Sequence, residues 1–142
     1  MDPRRGAVDC PRAGVTAGRA PVVGRSLVGI GLVHLATTGV FYPESVRSIV
    51  QGRVLGAVEA DPEQAAVRGV GFWYATAGLG VIALGRAVGQ VERAGRLRGE
   101  TAAALAGIGA WGVSLMPKSG FWLFFPVAAL AAVRARASRV RA

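Results

Sequence analysis

His34 is the only histidine in the chain, and it stands inside SLVGIGLVHLATTGVFYP, residues 26 through 43, a run with no Asp, Glu, Lys or Arg. An imidazole can donate one hydrogen bond and accept another, bind a ligand, or pass a proton. Within a membrane span, an ionisable side chain is by default a candidate functional site. Thr38, four residues on, shares the helical face of His34, and Gly31, three residues before, leaves room beside it. Trp111 and Ser114, in a later apolar run, are the groups expected to meet them across a helix pair. Two outcomes follow for His34, Thr38, Trp111 and Ser114: a ligand or relay site, or a structural hydrogen-bond bridge between helices.

Other chemistry is poorly supplied. All eight acidic residues fall outside the charge-free runs, so the membrane-embedded carboxylate that a small proton-coupled exporter needs is missing from them. One histidine cannot hold haem on both sides without a second copy of the chain, and Met116 is expected at the far end of its helix from His34. Cys10 is alone, which excludes an intrachain disulfide, a CxxC pair and a cysteine-based zinc site. GVGFWYATAG has glycines but lacks the lysine of a phosphate loop. No catalytic set, metal or cofactor is expected, and an enzymatic role is disfavoured.

The elements that position these residues are set by the distribution of charge. Seventeen basic and eight acidic residues give a formal charge of +9, with a mean hydropathy of +0.42. In a soluble protein that charge would suggest a nucleic-acid partner. Here the arginines cluster between charge-free runs at 26–43, 69–85, 101–117 and 119–133, which points to the lipid bilayer and away from nucleic acid. Each run is slightly shorter than the roughly 20 residues that cross a hydrocarbon core. Arg25, Arg68, Arg86 and Arg134 can lengthen the spans by lifting their guanidinium groups to the interface. Thirteen of the seventeen cations lie in the N-terminal arm, the 86–98 connection and the tail, which places both termini in the cytoplasm.

Local signals refine this outline. DPEQ at 61–64 reads as a helix start, with Asp61 as cap, Pro62 in the first turn and Gln64 completing a capping box. PKSG at 117–120 reads as a tight turn, and Pro126 predicts a kink that frees the carbonyl of Trp122. Residues 44–59 predict a short external amphipathic helix, with Val46, Ile49, Val50, Val54, Ala57 and Val58 on one face and Ser45, Arg47, Ser48, Gln51 and Glu59 away from it. Small residues predict two packing seams, one through Gly71, Ala75, Gly78 and Gly85, the other through Ala103, Gly107, Ala110 and Ser114.

GLVHLATTG at 31–39, FWYATAGLGVIALG at 72–85 and PKSGFWLFFPVAAL at 117–130 together resemble a family of small four-helix bacterial membrane proteins, a domain of unknown function. The resemblance covers about 24–133 and implies a fold but no activity.

The expected fold is all-α: a four-helix transmembrane bundle with a short external amphipathic helix between spans one and two. Its parts are a disordered basic arm at 1–21, a four-span domain at 22–135 with spans near 24–42, 66–88, 100–117 and 119–135, and a basic tail at 136–142. The expected role is structural or accessory within the cell (inner) membrane, with small-molecule or proton transport centred on His34 as the alternative. A homo-oligomer or a second membrane protein is the expected partner besides lipid.

Overall fold

A computed structural model describes residues 20–139. The arm expected to be disordered, with Cys10 in it, lies outside the described residues except for Ala20 and Pro21. Five α-helices follow: α1 (Val22–Phe41), α2 (Pro43–Gln51), α3 (Pro62–Arg93), α4 (Gly99–Leu115) and α5 (Phe124–Arg139), with a 3-10 turn over Gly120–Leu123 before α5. No strand occurs among the described residues. Three stretches, Val22–Phe41, Pro62–Arg93 and Gly120–Ser138, are long and apolar enough to cross a membrane. The 17 residues of α4 fall short of that length.

The helices form two antiparallel pairs, α1 with α3 and α4 with α5, while α2 packs on the first turns of α3. Glycine sets the first pair. A Cβ on Gly31 would stand 2.8 Å from the Gly78 carbonyl oxygen, and one on Gly24 would stand 2.5 Å from the Gly89 Cα. Only hydrogen fits there, so the two backbones touch along most of α1. Of the predicted seam Gly71, Ala75, Gly78 and Gly85, the three glycines are buried, Gly78 and Gly85 against α1 and Gly71 against Ser45 of α2, while Ala75 is half-buried.

The predicted seam on α4 is displaced around the helix. Ala103, Gly107, Ala110 and Ser114 are exposed, and the buried stripe is Ala102, Leu105, Gly109 and Gly112. The Phe121 ring lies over Gly112, and the Phe124 Cβ would stand 3.2 Å from a Cβ on Gly109. Val23 and Leu27 of α1, Val88 of α3, Leu97, Leu105 of α4 and Val127, Ala128 and Ala131 of α5 form one core that joins the two pairs.

The amphipathic element is shorter than expected, and its two faces are less cleanly divided than the sequence pattern implies. It ends at Gln51, and Ser45 is buried against Gly71 while Val46 and Val50 are exposed. A small polar residue lets α2 approach α3 closely, leaving Val46 and Val50 outside together with Arg47 and Gln51, while Ile49 is half-buried. Of the predicted face, Ala57 is fully buried.

Asp61 caps α3 as predicted, its carboxylate accepting from the Glu63 amide at 3.0 Å. Gln64 leaves the capping box and accepts from the Ser48 hydroxyl at 3.4 Å. The tight turn is present, closed by the Ser119 amide donating to the Met116 carbonyl at 3.0 Å. Pro126 sits in the first turn of α5, where a missing amide costs nothing, so the irregularity is a 3-10 turn upstream rather than a kink within the helix.

Candidate functional site

His34 lies on the stripe of α1 that carries Gly24, Leu27, Gly31 and Thr38, all buried. Gly78 is its neighbour on α3. A Cβ at Gly78 would stand 3.3 Å from the imidazole Cδ2, so the bare backbone there makes the space that the ring fills. The imidazole stacks on Tyr74 with ring centroids 3.9 Å apart and planes at 15°. Its Nε2 is 3.1 Å from the Tyr74 carbonyl oxygen. A carbonyl can only accept, so this bond puts a proton on Nε2.

Hydroxyl groups gather around the same turn. Thr37 donates to the His34 carbonyl at 2.8 Å and lies 3.4 Å from the Tyr74 hydroxyl. Thr38, which is buried, donates to the same carbonyl at 3.4 Å. Phe41 and Tyr42 bring their rings to 6.5 and 4.9 Å from that of Tyr74. The result is an aromatic lock between the end of α1 and the middle of α3.

Only part of the sequence-derived set converges here. His34 and Thr38 share the lock, whereas Trp111 and Ser114 sit on the outer face of α4, in the other helix pair. Trp111 is 69% exposed, and the Ser114 hydroxyl donates to the Trp111 carbonyl of its own helix at 2.8 Å. The expected partner from α4 is replaced by Tyr74 of α3, a residue that the sequence reading did not set beside His34.

A second polar centre was missed altogether. Glu92, near the end of α3, is 3% exposed. Its Oε2 accepts from the Gly24 amide of α1 at 3.3 Å. Gly24 belongs to the first turn of α1, whose amides have no partner inside the helix and whose cap position is Pro21, which offers no side-chain acceptor. Glu92 thus caps α1 from another helix, with its negative charge at the positive end of the dipole. Arg134 of α5 places Nε 4.0 Å from Oε1, a charge contact without a hydrogen bond, and Oε1 has no hydrogen-bond partner among the described residues.

The signal for Glu92 was its spacing. Gly71, Gly78, Gly85 and Glu92 recur every seven residues on α3, so the seam continues past Arg86 into what looked like a connecting segment.

Two arginines expected to reach the interface also turn inward. Arg134 points toward Glu92. Arg68 is buried beneath α2, donating to the Ser48 hydroxyl at 2.8 Å and to the Ala57 carbonyl at 2.7 Å. No group of three or more His, Cys, Asp or Glu side chains that could hold a metal occurs among the described residues.

The pattern of one protein family matches residues 18–138, nearly the whole described chain. The chain belongs to the family of unknown function DUF6463. No curated protein and no solved structure matches it. In this DUF6463 member the residues that carried the family resemblance have structural work to do: His34 meets Tyr74 of FWYATAG, and Phe121 and Phe124 of SGFWLFF pack on the glycines of α4.

Proposed function

We propose that this DUF6463 protein is a four-span integral membrane protein with a structural or accessory role, its N and C termini in the cytoplasm. The observation that carries the role is the closed α1–α3 seam at His34. The ring is stacked on Tyr74, its Nε2 proton is committed to a helix carbonyl, and Gly31 and Gly78 bring the backbones into contact on one side of it. Such a histidine fastens two helices.

Helix pairing supports the count of four spans. At about 1.5 Å per residue α4 is roughly 26 Å long, slightly less than a hydrocarbon core of about 30 Å. It is tied to α5 by the short turn at Pro117–Ser119 and packs against it through Gly109 and Gly112. A helix so tied to an apolar neighbour of spanning length enters the bilayer with it. The exposed Leu32, Val33, Val40, Val70, Trp73, Leu79 and Val133 give the pairs an apolar outer surface suited to lipid. Arginine placement supports the orientation.

The test has two parts. Alkaline carbonate washing should leave the chain in the membrane pellet, and reporters active only outside should be silent at both termini and active when inserted within 44–60. Native mass spectrometry of the purified protein then decides the role. A retained small molecule that is lost in His34→Gln would replace a structural role with ligand binding.

A further inference from the structure

A groove of about 140 Å³ opens where α1 begins and α3 approaches its end, lined by Pro21, Gly24, Arg25, Val28, Gly85, Arg86, Gly89 and Arg93. We propose that this groove binds one anionic phospholipid, its phosphate held by Arg25, Arg86 and Arg93 and the start of an acyl chain laid along Val28 and Gly85. The inference rests on the membrane reading above.

The chemistry follows from how the groove is made. Gly24, Gly85 and Gly89 contribute no side chains, so two touching helices leave a furrow whose wall is largely apolar. Arg86 and Arg93, two helical turns apart, rim it from α3, and Arg25 rims it from α1. All three arginines are exposed, and none makes an ion pair among the described residues. The nearby carboxylate of Glu92 does not neutralise them, because it is buried, turned to the Gly24 amide and close to Arg134. Three cations therefore line one groove with a largely apolar wall.

Position selects the occupant. Arg25 directly precedes the charge-free run of α1, and Arg86 directly follows that of α3. In a bilayer these residues stand at the level where headgroup phosphates meet acyl chains, on the side the arginine count assigns to the cytoplasm. Basic pockets between spans on that side suit anionic headgroups. A zwitterionic lipid carries its own ammonium against the same phosphate, so charge should discriminate between the two.

The full chain in neutral detergent micelles, given equal amounts of phosphatidylglycerol and phosphatidylcholine, tests this by native mass spectrometry and melting. Each arginine near the phosphate should contribute about fivefold. The expected result is a phosphatidylglycerol adduct at least fivefold more abundant than the phosphatidylcholine adduct. That preference should vanish in the combined Arg25→Gln, Arg86→Gln and Arg93→Gln variant and persist in Arg96→Gln with Arg98→Gln. Glycerol phosphate at the same concentration should leave the melting temperature unchanged, which separates a lipid from a free phosphate. Gly89→Ala serves if the triple variant does not fold. Its methyl would stand 3.5 Å from the Pro21 Cβ, an ordinary contact that fills the groove without changing charge, and it should weaken the adduct. Equal preference in the triple variant and its control, an unchanged adduct in Gly89→Ala, or equal stabilisation by glycerol phosphate would overturn the proposal. Release of the chain by carbonate would defeat the membrane reading as well, whereas a membrane-retained protein without lipid preference defeats this inference alone.

Discussion

Glu92 accepts a hydrogen bond from the backbone amide of Gly24, a residue 68 positions away, and so joins the end of α3 to the beginning of α1. The bond serves an amide that α1 cannot satisfy by itself, and the buried carboxylate is held by that amide and by the cation of Arg134.

Replacing the acceptor should be tolerated better than removing it. Glu92→Gln keeps an oxygen for the Gly24 amide, while Glu92→Leu strands that amide and removes the partner of Arg134, a loss of about 1–3 kcal/mol. Thermal or denaturant unfolding in detergent should therefore rank wild type above Gln and Gln above Leu. Equal losses in the two variants would show that charge alone matters at this position.

Glycines on α1 and α3 divide into two groups. Gly31→Ala drives a methyl onto the Gly78 carbonyl and Gly78→Leu fills the place of His34, so both should lower the melting temperature and the yield of folded protein. Gly29 and Gly80 have nothing within 4 Å of an added Cβ, and alanine there should be neutral or gain up to about 1 kcal/mol of helix stability. The same loss at all four positions would remove the seam from the account.

The His34–Tyr74 lock should behave as a coupled pair. His34→Leu loses the bond to the Tyr74 carbonyl, worth on average about 0.6 kcal/mol between membrane helices, and His34→Gln should recover part of it. A double-mutant cycle with Tyr74→Leu should show a coupling of about 0.5–1.5 kcal/mol from ring stacking. Additive losses would mean that the rings are neighbours without mutual stabilisation.

Arg68 pins the 52–60 segment to α3. Arg68→Met removes the bond to the Ala57 carbonyl that anchors the segment, along with the bond to Ser48 of α2, so the purified protein should be cut faster by protease within 52–60. Unchanged cleavage would assign the order of this segment to Ala57 packing instead.

The end of α2 offers a gain. Val54 donates to the Ile49 carbonyl at 3.0 Å and Arg53 to that of Val50 at 3.1 Å, the paired bonds that end a helix when the intervening residue is left-handed. α3 ends in the same way with Gly95 at φ 67°, but α2 has Arg53 at φ 67°. Gly52 cannot take that position, because it is needed one residue earlier, where a Cβ would come 3.0 Å from that of Ala57. Arg53→Gly should raise stability by about 1 kcal/mol, read as a higher melting temperature.

Charge placement made the helices legible. The faces were harder to read. The start of α3 and its cap at Asp61 follow from Pro and Asp, whose effects are local, whereas α3 runs on to Arg93, into the stretch read as a connection. On α4, alanine, glycine and leucine are spread around the whole helix, and lipid is as apolar as a protein core. Hydropathy could therefore not separate the stripe of Ala102 and Gly109 from that of Ala103 and Ser114. Ser45 was set apart from the apolar face of its helix by periodicity alone, which does not say that a small side chain will pack on Gly71. Tyr74 was hidden as a partner of His34 because the bond runs through its backbone carbonyl, which every residue has.

The 32 residues of α3 measure roughly 48 Å, about 18 Å more than α1 and more than a hydrocarbon core is thick. Because glycine contacts weld α3 to α1, the excess cannot be absorbed by sliding one helix along the other. In a bilayer the welded pair must lean as a unit or stand proud of the surface. Its lean should increase as the bilayer thins, so the protein should favour membranes of one thickness over another.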